Sequence, residues 1–123
     1  MNEQPSENYT KSYLETLALQ QIRDASLPEP EREVEGIEGK RYRFDFAWPE
    51  EGIAIEIHGA THTGKGHTSG KGFAEDRRKM NLANLNGWVV FEFTAEMLNQ
   101  NELVPILKEA FQMVEELEGD GEG

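Results

Sequence analysis

The stretch Arg41–His58 alternates twice around one turn, and this constrains the chain more than any other feature. In RYRFDFAW, Tyr42, Phe44, Phe46 and Trp48 point one way, and Arg41, Arg43, Asp45 and Ala47 the other. Pro49–Gly52 reads as a turn, and IAIEIH sets Ile53, Ile55 and Ile57 against Ala54, Glu56 and His58. A β-hairpin with one apolar face accounts for both runs. If the four turn residues form the loop, Trp48 lies opposite Ile53, Phe46 opposite Ile55, Phe44 opposite Ile57 and Arg43 opposite His58. Apolar then meets apolar throughout, and Asp45 falls across from Glu56.

The remaining elements assemble around that hairpin. Tyr13, Leu14, Leu17, Ala18 and Ile22 recur at helical spacing, predicting a helix over about Thr10–Asp24 with Thr10 as N-cap. Ser26–Gly39 is acidic, holds two prolines and reads as a loop with a short strand around Glu33–Ile37. Gly59–Gly72 holds five glycines and no large apolar residue, so a mobile loop is expected. A helix from about Phe73 to Asn86 follows, closed at Asn86–Gly87. Trp88–Thr94 reads as a third strand, its Val89–Val90–Phe91 run suiting a buried position. Leu103 to about Leu117 carries an apolar stripe through Ile106, Leu107, Ala110, Phe111 and Val114. The order predicts one α/β (α+β) domain over residues 1–123, with helices flanking a mixed central sheet. Residues 1–8 and 118–123 are expected to be disordered tails.

The charge is uneven. The 123 residues carry 12 basic and 24 acidic side chains, net −12. Residues 1–39 hold 3 basic and 9 acidic, residues 82–123 hold 1 and 9, but residues 40–81 hold 8 and 6 with all three histidines. Any phosphate contact belongs to that centre. No run is long and apolar enough for a transmembrane helix, and the polar start MNEQPSENYT does not suit a signal peptide. The absence of cysteine excludes disulfides, thiolate zinc sites and cysteine nucleophiles, and fits a reducing, cytoplasmic setting.

Two carboxylates facing each other across a hairpin repel, and a hard divalent cation offsets that. Two solvated carboxylates on an outer face are the plainer alternative. Asp76 and Lys79 share a helical stripe with Met80 and Ala83; they either face a site at the sheet edge or form a surface ion pair. His62 and His67 lie in the glycine-rich loop near Lys65 and Lys71, where backbone and side chains can approach phosphate. A zinc site from His58, His62 and His67 is a further alternative, with no cysteine to complete it.

A strand ending in an aspartate, a turn, and a strand bearing Glu-X-X resembles the PD-(D/E)XK nuclease superfamily, in particular its compact very-short-patch-repair-like endonucleases. The matching pieces are Glu15 in the first helix, Asp45, Glu56 in Ile55–Gly59, His67, Asp76, Lys79 and the Gly87–Trp88 strand start. The resemblance implies a restriction-endonuclease-like core and hydrolysis of DNA phosphodiester bonds. It implies Mg²⁺ or Mn²⁺ on Asp45 and Glu56, with the Ile57 carbonyl as third ligand and Glu15 holding a water or second ion. His58 stands where the family has lysine. Lys79, then Lys71, is the candidate replacement, and His58 or His67 could act as base. Glu92 stands where related proteins often carry arginine. Arg41, Arg43, Lys65, Lys71, Arg77 and Arg78 would hold the DNA backbone. The acidic total implies weak nonspecific affinity, so a structured substrate, a homodimer or a partner protein is expected to help. The competing expectation is a non-catalytic acidic protein, either a DNA mimic or a degenerate nuclease fold kept for interaction.

Overall fold

The computed structural model describes residues 10–59 and 70–122, the side chains of 70, 71 and 119–122 excepted. Eight elements follow in order: α1 (Lys11–Asp24), β1 (Glu31–Val34), β2 (Phe44–Trp48), β3 (Ile53–His58), α2 (Gly70–Leu85), β4 (Val89–Thr94), α3 (Ala95–Asn99) and α4 (Leu103–Glu122). The four strands form one sheet in the order β1-β2-β3-β4. β1, β2 and β3 pair antiparallel, while β3 and β4 run parallel with α2 between them in the chain. A parallel pair requires such a crossover, and a helix is its usual form. The expected mixed sheet with flanking helices is therefore present. Among the described residues, no helix is long and apolar enough to cross a membrane.

Local chemistry explains the element ends. The Thr10 hydroxyl accepts the Tyr13 N–H at 3.0 Å, satisfying one free donor at the start of α1. Gly52, at φ 73°, closes the turn by donating its N–H to the Trp48 carbonyl at 2.9 Å. Gly87, at φ 85°, lets Trp88 N–H return to the Ala83 carbonyl at 3.0 Å and end α2.

The sheet is covered on both faces, not one. Phe46, Trp48, Ile53, Ile55, Ile57 and Phe93 pack with Leu14, Ala18 and Ile22 of α1, Leu98 of α3 and Leu103, Leu107 and Ala110 of α4. On the opposite face Ile37, Phe44, Ala47, Ala54 and Ala83 cluster, with Val34, Leu82, Trp88 and Val90 against them. Ala47 and Ala54 read as the outer face of a hairpin, but they are the small residues that let α2 approach the sheet. Both are fully buried.

Phe44 does not share a face with Phe46 and Trp48 as strict alternation predicts; it packs against Trp88 with ring centroids 5.0 Å apart. The alternation slips by one residue between Phe44 and Phe46. On the neighbouring strand, Arg32 lies over the Phe46 ring while Val34 joins Phe44, and Glu33 between them has φ 53°. Both strands change faces at the same level, as at a β-bulge.

The remaining differences are local. The short strand forms at Glu31–Val34, slightly before the expected span. β4 is the last strand of the sheet, and Val89 is half exposed, so the Val89–Val90–Phe91 run is not buried as expected. Phe91 packs against one core cluster and Val90 against the other, while Val89 has no strand beyond it among those described. α3, a short helix for which the sequence offers no expectation above, is capped by Thr94. α2 starts at Gly70, and α4 is helical through Glu122, beyond the Leu117 expected. Residues 1–8 and most of the glycine-rich loop lie outside the described residues.

Candidate active site

The change of faces on β2 creates the site. Asp45 sits where the β2–β3 ladder stops: the register runs Trp48–Ile53, Ala47–Ala54 and Phe46–Ile55, as predicted. Beyond it Asp45 Oδ2 accepts the Ile57 N–H at 2.7 Å, taking a donor that would otherwise face a β2 carbonyl. The simple cross-strand opposition of Asp45 and Glu56 is thereby corrected, along with the Phe44–Ile57 and Arg43–His58 pairs. Asp45 is turned into the gap between strands, and the group of Ile57 that engages it is the amide. Asp45 is the one buried charged residue, 6% exposed, among those described.

Burial of a carboxylate requires partners. Lys11, on the first turn of α1, places Nζ 3.0 Å from Asp45 Oδ1 and 4.0 Å from Glu15 Oε2. Glu15 Oε1 accepts from Arg32 Nη2 at 2.7 Å. Glu15, Glu33 and Asp45 each bring a carboxylate oxygen within 4.8 Å of the others. Burial disfavours the Lys11 ammonium, but the hydrogen bond and charge of Asp45, with the charges of Glu56 and Glu15, hold its pKa above the usual 10.5.

Glu56 lies on the α2 side of the sheet. Lys79 Nζ, one-fifth exposed, donates to Glu56 Oε2 at 2.6 Å and to the Arg43 carbonyl at 2.9 Å. Lys79 thus reaches across to the hairpin instead of ending in an ion pair along its own helix. Its ammonium also stands 5.5 Å from the Phe44 ring centroid. Burial pushes the Glu56 carboxyl above its usual 4.5; Lys79 opposes this and the nearby Asp45 charge adds to it. Next along β3, His58 Nε2 lies 2.8 Å from Glu92 Oε1 on β4. The parallel register sets Glu56 beside Glu92 and His58 beside Thr94. Glu56, His58, Asp76, Arg77, Lys79, Met80 and Glu92 line a small open cleft.

Of the expected site residues, Asp45 and Glu15 meet from β2 and α1, while Glu56, His58, Asp76 and Lys79 line the cleft on the α2 side; the Asp45 charge reaches Glu56 and links the two groups. His62, Lys65 and His67 lie outside the described residues, as does the side chain of Lys71. The three-histidine zinc alternative therefore has only His58 within the described part. The basic residues proposed for DNA are divided: Arg43 is 3.3 Å from Glu35, Arg78 is 3.0 Å from Glu75, and Arg77 stacks 4.7 Å over Phe73. Arg41 is exposed. Sequence reading missed Lys11, Glu33, Arg32 and the His58–Glu92 pair. The i,i+4 spacing of Lys11 and Glu15 is a usable signal for the first. Glu33 joins only through a left-handed residue in β1, which no pattern announces.

Oxygen donors alone suit a hard divalent ion such as Mg²⁺ or Mn²⁺. Asp45 and Glu15 fit that chemistry, and they already attract a cationic side chain. Comparison of the chain with protein-family models, with curated proteins and with solved structures finds no match.

Proposed function

We propose that this chain is a divalent-metal-dependent endonuclease that hydrolyses DNA phosphodiester bonds, on a restriction-endonuclease-like core. The observation that carries the reading is a buried Asp45 with a Glu15 carboxylate beside it, and next to them Glu56, close enough to feel the Asp45 charge and bridged to Lys79. Asp45 and Glu15, with Glu33 or Glu56 beside them, would hold Mg²⁺ or Mn²⁺. A bound ion would supply polarisation of the scissile phosphate and a water of lowered pKa. Lys79 is fixed by two acceptors, so its ammonium can orient a water or offset charge on a phosphate without reorganising. His58 is half exposed and held at Nε2 by Glu92, which leaves its other ring nitrogen, Nδ1, as the one suited to take a proton. Arg41, Arg77 and the loop lysines would meet the DNA backbone.

The test is incubation of supercoiled plasmid with the protein in Mg²⁺ or Mn²⁺, with and without EDTA. Cleavage that needs the ion and disappears in Asp45→Asn supports the proposal. A folded protein that leaves plasmid intact in both ions sinks it. The second reading, an acidic interaction protein on a degenerate nuclease fold, is favoured by Arg43 and Arg78 already being held by Glu35 and Glu75. Retention on a basic-protein column but not on DNA in Ca²⁺ selects that reading.

A further inference from the structure

The carboxylate oxygens around Asp45 are not equally open to a ligand. Asp45 Oδ2 is committed to the Ile57 amide at 2.7 Å, and Glu15 Oε1 to Arg32 at 2.7 Å. Of these two carboxylates, that leaves Asp45 Oδ1 and Glu15 Oε2 available to a cation, with Glu33 beside them. These are the two oxygens that face Lys11 Nζ, at 3.0 and 4.0 Å. Lys11 is also the first residue of α1, where a positive charge opposes the helix dipole. Its position does not serve the helix; it serves the carboxylates.

We infer that Lys11 is the site's own counter-cation, which neutralises Asp45 and Glu15 in the metal-free protein and competes with a divalent ion for the same two oxygens. The inference rests on the metal-binding reading above. The side chain is 49% exposed and Thr10 anchors the helix start separately, so the ammonium can swing to water while α1 stays in place. A divalent ion must then displace a charge already bound, and Lys11 sets the ion concentration at which the site fills.

Calorimetric titration of the full chain with Mn²⁺ tests this, comparing wild type with Lys11→Met and Lys11→Gln, each checked for folding by circular dichroism. Loss of the competitor should tighten Mn²⁺ binding by roughly tenfold, equivalent to about 1.4 kcal/mol. Equal or weaker binding in the folded variants overturns the inference and leaves the ion site standing. No Mn²⁺ binding by any of the three proteins overturns the ion-site reading itself. A measurement on the wild-type sequence needs no substitution. Reductive ¹³C-methylation of the lysines should give a Lys11 signal that moves to a solvent-exposed position as Mg²⁺ saturates the site. An unmoved signal at saturation overturns the competition.

Discussion

Glu56 and Lys79 illustrate how one ion pair can cost stability and still position a site. The Glu56 carboxyl is held above its usual 4.5 because its burial outweighs the Lys79 attraction. A carboxyl with a raised folded-state pKa binds more protons folded than unfolded, so its contribution is fully present below 4.5 and is lost as pH rises through the folded pKa. Glu56→Gln keeps an acceptor for Lys79 and removes that loss. The variant should melt above wild type at neutral pH, and the gap should narrow as pH falls toward 4.5, followed by circular dichroism. A gap that widens on acidification would mean the pair stabilises the charged form. Lys79→Ala should lower turnover by roughly 10²-fold, the scale for losing a charge-stabilising or acid–base group, while DNA retention in Ca²⁺ changes far less. His58→Ala should be milder. The reverse order gives His58 the role proposed for Lys79, and equal losses of binding and turnover make Lys79 a phosphate anchor.

Elements meet tightly where the chain before β2 passes beneath the β4 start. Trp88 Nε1 donates to the Gly36 carbonyl at 2.9 Å, and the Trp88 ring tilts against Phe44. A Cβ on Gly36 would lie 2.6 Å from the Phe44 ring and 2.7 Å from the Trp88 ring. Phe44 in turn lies beneath the Lys79 ammonium. Gly36→Ala must move one ring or the backbone, at a cost of about 1–3 kcal/mol typical of overpacking. Its urea midpoint should fall, and its turnover with it, since the Phe44 shift reaches Lys79. A midpoint unchanged from wild type would show that the loop yields without strain. The same substitution at Gly59, whose added Cβ would meet Lys11 at an ordinary 3.6 Å, should be far better tolerated.

For the whole molecule, charge decides how DNA would be approached under the proposed nuclease reading. Net −12 repels a phosphate backbone, and two of the six candidate basic contacts, Arg43 and Arg78, have acid partners. Each phosphate neutralised contributes about −0.9 to the slope of log affinity against log salt, so four remaining contacts predict a slope of about −3 to −4. Filter binding in Ca²⁺ over a salt series measures it, and a slope near zero would exclude backbone recognition. Removing residues 118–123 should raise affinity at low salt, with the difference fading as salt screens it. Stability should change little, because the buried residues of α4 end at Ala110, and Phe111 and Val114 are its last half-buried apolar positions. A truncated protein that melts well below wild type would make the last turn of α4 structural.

The sequence by itself determined the hairpin, its turn and the register of Trp48, Ala47 and Phe46, because an alternating strand can bury its apolar side in only one register. It also located α1, α2, β4 and α4, whose patterns and end signals are local, and it singled out Asp45, Glu56 and Lys79 from their types and order. Only the tertiary structure decided which face each of those residues occupies. The slip shared by Glu33 and Asp45 depends on two strands meeting at one level, and it reverses Phe44 while turning Asp45 into the strand gap. Ala47 and Ala54 look like solvent positions until α2 closes over them. Lys11 and Arg32 are ordinary surface cations along the chain; packing of α1 and β1 around β2 makes them the partners of Asp45 and Glu15. A charge's partner is fixed by where other elements pack, and no local period encodes that.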